Sequence, residues 1–266
     1  MFRTRLISGI VLVALAIAAI LAGKQVVFAV CAALSFIGLF EYYRVVGLEH
    51  TSLGRTGYAA CAVHYLMVAT GWERYTSLFI IGALMVIMAN YVLRFPKYRI
   101  EQATNAFFGV VYPGVMLSYI YYVRAMQDGK ILVWMIFLSA WGCDTLAYCA
   151  GRLFGKHKLA PVLSPKKTIE GAIGGTLGAA LLGFLFGMAF REKMDEVLRP
   201  ELVCAVSCGV GALISQIGDL AASGIKRDHD VKDYGHLIPG HGGVLDRFDS
   251  VIFTAPAVYF AIIFLL

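Results

Sequence analysis

The chain has 266 residues, 59% of them hydrophobic and only 15% charged, with a formal net charge of +6. Soluble domains lie nearer about 45–50% apolar and about 25% charged, so an ordinary soluble fold is excluded. No nucleic-acid-binding motif accompanies the positive charge.

Apolar runs long enough to cross a hydrocarbon core of ~30 Å recur from end to end. They predict an all-α, polytopic membrane protein with about nine transmembrane helices, near 6–22, 26–46, 56–72, 75–93, 104–123, 131–151, 169–190, 200–222 and 249–266. Residues 1–266 read as one integral membrane domain, with N-terminal spans in 1–130 and a motif-bearing half in 131–266. Arg3 and Arg5 precede the first run, but no small-residue cleavage site follows, so a retained first span is expected. Gly23-Lys24-Gln25 demands a tight hairpin, and Pro113-Gly114 predicts a kink in the fifth span. The six cysteines lie in apolar runs without metal-ligand spacing and read as small buried residues.

Lysine and arginine concentrate in alternate loops. By the positive-inside bias, the N-terminus and the polar loops 152–168 and 223–248 face the cytoplasm and form the site there.

Ionisable groups inside a bilayer are rare and usually functional. Asp144 lies in the sixth span and Asp219 in the eighth, each either a site carboxylate or an interhelical hydrogen-bond partner. Glu41, beside Tyr42, Tyr43 and Arg44, reads as an interfacial pair. Residues four apart share a helix face. Ser215, Asp219 and Ser223 therefore form a column leading to Lys226 and Arg227. Asp246 and Asp249 share a face if the last helix has begun by then. Such hard oxygen ligands suit Mg²⁺, but Asp219 and Asp246 meet only if the eighth and ninth spans pack together.

The loop 152–168 carries Lys156, Lys158, Lys166 and Lys167, enough positive charge to neutralise a polyphosphate. Its end, Ser164 to Thr168, lies at the head of the seventh span, where a helix favours anions. The Walker A spacing is absent. In Pro239-Gly240-His241-Gly242-Gly243, the glycines let successive N–H groups converge on an anion. The glycines of the seventh span instead fit small-residue helix packing.

Ser223, Lys226-Arg227, Lys232-Asp233, Gly235, Ile238-Pro239, His241-Gly242-Gly243, Asp246-Arg247 and Asp249 resemble the signature of the phosphatidate cytidylyltransferases, or CDP-diacylglycerol synthases. Asp144-Thr145, Ala147-Tyr148, Gly151-Arg152, Gly155-Lys156 and Ser164 to Gly171 are similar to the same family. The resemblance implies a membrane enzyme, in a bacterial inner membrane, that joins CTP to phosphatidic acid and releases pyrophosphate. It further implies Mg²⁺, a monovalent cation such as K⁺, and a homodimer.

On that resemblance, Asp219, Asp246 and Asp249 are expected to hold the metal. Lys166, Lys167, Lys226 and Arg227 would grip phosphates, with Thr168, Ser223, Lys232, Gly242 and Gly243 completing the substrate site. Arg247 either pairs with a carboxylate or contacts phosphate. His241 orients a phosphate, protonates pyrophosphate, or makes a structural hydrogen bond. Asp144 is a site organiser or a further metal ligand. Two rivals stand beside this reading. A CTP-dependent lipid kinase would transfer the γ-phosphate. A cation transporter would use Asp144, Asp219 and Glu170 as a path.

Overall fold

The computed structural model describes residues 2–240 and 242–266. Its helices are α1 (Phe2–Ala22), α2 (Lys24–Val45), α3 (Ser52–Ala69), α4 (Glu73–Leu93), α5 (Ile100–Ala125), α6 (Gly129–Phe154), α7 (Ile169–Ala189), α8 (Pro200–Asp228) and α9 (Leu245–Leu265). Helices thus stand at all nine expected positions. Among the described residues, seven of them are long and apolar enough to span a membrane, short of the nine expected. The apolar part of α1, Ile7–Ala22, is shorter. In α3, Ser52, Arg55, Thr56 and His64 dilute the apolar surface.

The α1–α2 turn is tighter than expected: Gly23 alone separates the helices, at φ 125°, a conformation that suits glycine. The Pro113 kink in α5 takes the form of a widened π-helical turn over Val110–Val115, one of the usual causes of a bend. Ser35 on α2 donates to the Pro113 carbonyl at 2.7 Å, so a neighbouring helix binds the irregular backbone. A second π turn, Leu138–Gly142, sits in α6 immediately before Asp144.

The C-terminal helices are joined by close backbone approach. A Cβ on Gly175 of α7 would crowd Ala147 and the Cys143 carbonyl of α6, and one on Gly187 would strike Pro200 and Glu201 of α8. Small residues let membrane helices approach this way, as the glycine pattern predicted. Gln216 of α8 adds a polar tie to Thr176 of α7 at 2.9 Å. Gly218 of α8 lies against Asp249 and Phe253 of α9. The eighth and ninth spans therefore do pack together, the condition on which the carboxylate arrangement depended. Five of the cysteines are buried as expected; Cys149 is exposed.

Between α6 and α7 the chain forms a small antiparallel hairpin, β1 (Lys158–Ala160) with β2 (Ser164–Thr168). Between α8 and α9 it runs irregularly, with one isolated bridge from Ile238 to Gly242. These two segments flank the site.

Candidate active site

α8 continues to Asp228, so Asp219, Ser223 and Lys226 all stand on helix. The expected column divides along its length. Ser215 is buried and turned back to the Ala212 carbonyl at 2.8 Å. Asp219 is half-buried and forms an ion pair with Lys167 of β2. Lys226 is paired with Asp246 of α9 at 2.9 Å and lies 5.3 Å from the centre of the Tyr234 ring. Arg227, the next residue round the helix, points to solvent with Lys232.

β2 separates the two lysines of the basic loop. Successive strand residues face opposite ways, so Lys167 turns inward to Asp219 while Lys166 stays exposed. Thr168 ends the strand and caps α7, its hydroxyl accepting from the Gly171 amide at 3.2 Å. Glu170, a candidate acid of the transporter rival, is bound into the hairpin. It accepts from the amides of Lys156 and His157, and its Oε1 lies 2.6 Å from His157 Nδ1.

The carboxylates group differently from the expected set of Asp219, Asp246 and Asp249. Asp144, Asp219 and Asp249 lie within each other's electric field, with Lys167, Arg247 and Lys226 as the neighbouring cations. Asp246 is bound by the protein's own donors. Its Oδ1 takes the Lys226 ammonium, and its Oδ2 accepts from the backbone amides of Tyr234 at 2.8 Å and Gly243 at 2.9 Å. The cause is its place in the first turn of α9, where it faces back into the preceding loop. The expected glycine nest is partly filled for the same reason: the anion on the Gly243 amide is the protein's own Asp246. Among the described residues, no three His, Cys, Asp or Glu side chains stand close enough to form a metal-binding group. The hard oxygens of Asp144, Asp219 and Asp249 are nonetheless the donor type that suits Mg²⁺.

Asp144, Asp246, Arg247 and Asp249 line a cavity of about 210 Å³ between α6, α9 and α1. Arg247 Nε is buried there without a hydrogen-bond partner. A buried guanidinium nitrogen without an acceptor is costly, and a phosphate oxygen would satisfy it. Gly242, at φ 87°, is half-buried, and Ser223 likewise. His241 lies outside the described residues.

The N-terminal half contributes what sequence reasoning missed. Glu41 is buried and accepts from the Val244 and Leu245 amides, so it is a helix cap for α9 and not the interfacial pair expected. Arg44 donates to the Tyr234 carbonyl at 2.6 Å, and Ser8 of α1 to the Pro239 carbonyl at 3.1 Å. Burial pushes the Tyr234 phenol well above its ordinary range, with Tyr42, Asp246 and Asp249 adding to it. Tyr234 stays neutral and donates to the Ala222 carbonyl at 3.2 Å. The acid at the end of the second span was visible in the sequence; its partners two hundred residues away were not.

Fold and site together define an integral membrane protein whose carboxylates and cations meet around a small cavity, a constellation suited to phosphate chemistry. The chain belongs to the cytidylyltransferase family, whose profile matches residues 3–265. It is 38% identical over 203 residues to the phosphatidate cytidylyltransferase of Staphylococcus haemolyticus, covering 75% of each chain. To that of Staphylococcus saprophyticus it is 32% identical over 258 residues, 96% of each. With that of Staphylococcus epidermidis it shares 37% identity over 177 residues, 66% of this chain and 65% of the relative.

Proposed function

We propose that this chain transfers the cytidylyl group of CTP to phosphatidic acid, giving CDP-diacylglycerol and pyrophosphate. The observation that carries the reading is the joint between Lys167 and Asp219. It brings the basic hairpin and the Asp219 carboxylate of α8 to one place, beside Asp144, Asp249 and Arg247. A phosphatidate oxygen attacks the α-phosphorus of CTP. The new P–O bond forms as the bond to the bridging oxygen breaks, and pyrophosphate leaves with that electron pair. Such transfers depend on positioning and charge neutralisation, and the attacking phosphate is already anionic, so no general base is required.

Arg247 binds a phosphate oxygen in the cavity, and Lys167 neutralises phosphate charge from the hairpin. Lys166, Arg227 and Lys232 are exposed and attract the triphosphate. Thr168, Ser223, Gly242 and Gly243 shape the surrounding backbone. Asp144, Asp219 and Asp249 are the residues suited to hold Mg²⁺, which when bound would offset the charge of the reacting phosphates. K⁺ or another monovalent cation belongs to the same proposal. Asp246 holds Lys226 and the loop in place. The Lys/Arg bias supports a cytoplasmic site, and the bacterial relatives support a bacterial cell membrane. The homodimer is part of the proposal, and a mass measurement in detergent checks it.

The test is incubation of purified protein with radiolabelled CTP, phosphatidic acid and Mg²⁺ in detergent. CDP-diacylglycerol and pyrophosphate are expected. A lipid phosphate with CDP would favour the kinase chemistry instead, and folded protein yielding neither product would overturn the reading.

A further inference from the structure

A helix begins with backbone amides that have no partner within it. The usual remedy is a Ser, Thr, Asp or Asn at the N-cap. In α9 that position is Val244, which has no side-chain acceptor. The acceptor comes instead from α2: Glu41 Oε1 takes the Val244 amide at 3.0 Å, and Oε2 takes the Leu245 amide at 2.9 Å.

Glu41 is only 3% exposed. Among the described residues no cation forms an ion pair with it, so the two amides, with the nearby charge of Arg44, are what offset its burial. Space around it is tight: a Cβ on either Gly235 or Gly243 would collide with its carboxylate. Three residues on, Arg44 grips the Tyr234 carbonyl. From the other side, Asp246 takes the Tyr234 and Gly243 amides. The segment from Tyr234 to Leu245 is therefore fixed between two carboxylates, one of them supplied by the N-terminal half.

Resting on the cytidylyl-transfer reading, we propose that Glu41 is a positioning residue for the reaction. Its carboxylate fixes where α9 starts and how its first turn is rotated. Asp246 and Arg247 leave from that turn and Asp249 from the next, so Glu41 sets the directions in which the site's arginine and carboxylates face the cavity. It touches neither substrate.

Glu41→Gln is nearly isosteric, but it turns one acceptor into an amide NH₂ facing an N–H donor. Hydrogen bonds to charged groups contribute enough that kcat should fall about tenfold or more, with KM for CTP within a factor of about two. Hydrogen exchange should quicken at the amides of Val244 and Leu245 while α2 and α5 exchange as before. Glu41→Asp keeps the charge on a shorter arm and should recover part of the lost kcat. Wild-type kcat with unchanged exchange in Glu41→Gln would overturn the proposal. So would a general rise in exchange across α2 and α5, which marks a merely structural role. If Glu41→Gln fails to fold, Glu41→Asp carries the same two measurements. If the unaltered protein makes no CDP-diacylglycerol, the cytidylyl-transfer reading falls, and local exchange at residues 244 and 245 still decides whether Glu41 fixes α9.

Discussion

The two segments flanking the site are fastened in opposite ways. The hairpin between α6 and α7 is held by its own neighbourhood: Glu170 binds the amides of Lys156 and His157, and Thr168 caps the helix that follows. The segment between α8 and α9 has almost no regular structure and is held by remote groups, Glu41 and Arg44 from α2, in addition to Asp246 of the adjoining α9. Short contacts within one stretch cost little chain entropy to close, whereas distant ones need the bundle assembled first. The hairpin can therefore order locally, while the second segment acquires its shape only when the N-terminal half is in place.

The contrast is sharpest where the two regions meet. Asp219→Asn removes the charge that holds Lys167 and one of the three grouped carboxylates. Loss of one electrostatic group from such a site costs on the order of 10²–10³ in kcat. The protein should still insert and fold, which size-exclusion and circular dichroism would establish alongside the assay. Near-normal turnover would place the chemistry elsewhere.

Asp246→Asn tests the remotely fastened segment. It leaves the half-buried Lys226 ammonium without its counter-charge and weakens the bonds to the Tyr234 and Gly243 amides. Breaking a buried pair on one side costs about 3–5 kcal/mol; partial solvent access to Lys226 puts this one at the lower end, about 3 kcal/mol. Unlike Asp219→Asn, this change should lower thermal stability and activity together. A fall in activity with unchanged stability would mean that Asp246 acts directly on substrate or metal.

This division also explains what the sequence could tell. Helix positions, the Pro113 irregularity and the glycine face of α7 were legible because each is a local pattern of hydropathy, backbone freedom or size. The family signature singled out the stretch that joins α8 to α9, and Asp144 and Asp219 stood out as acids in apolar runs. The partners of those acids were not legible. Asp246 and Asp249 are three residues apart near the start of α9 and both line the cavity, yet Asp246 also takes the loop amides of Tyr234 and Gly243. That difference of about 60° around the helix matters only once α8 and α2 are packed alongside. Glu41 shows the same limit: its role is set by a missing cap at Val244, far along the chain.

The smallest effect should come from the locally fastened hairpin. His157 is well exposed, and its ring nitrogen bonds Glu170 at 2.6 Å. Exposed pairs contribute little to stability, and in His157→Ala the two backbone amides still reach Glu170. The unfolding temperature should be unchanged. Lys167 sits in β2, whose partner β1 begins just after the residues Glu170 holds, so a loosened hairpin should weaken CTP binding through it. The expected result is a rise of a few fold in KM for CTP, with kcat preserved, as loss of binding shared equally by ground and transition states requires. Glu170→Gln, which also weakens the two amide bonds, should raise KM further. A loss of kcat in either variant would mean that the hairpin moves with the chemical step, and the contrast between a locally held and a remotely held wall would give way to one coupled unit.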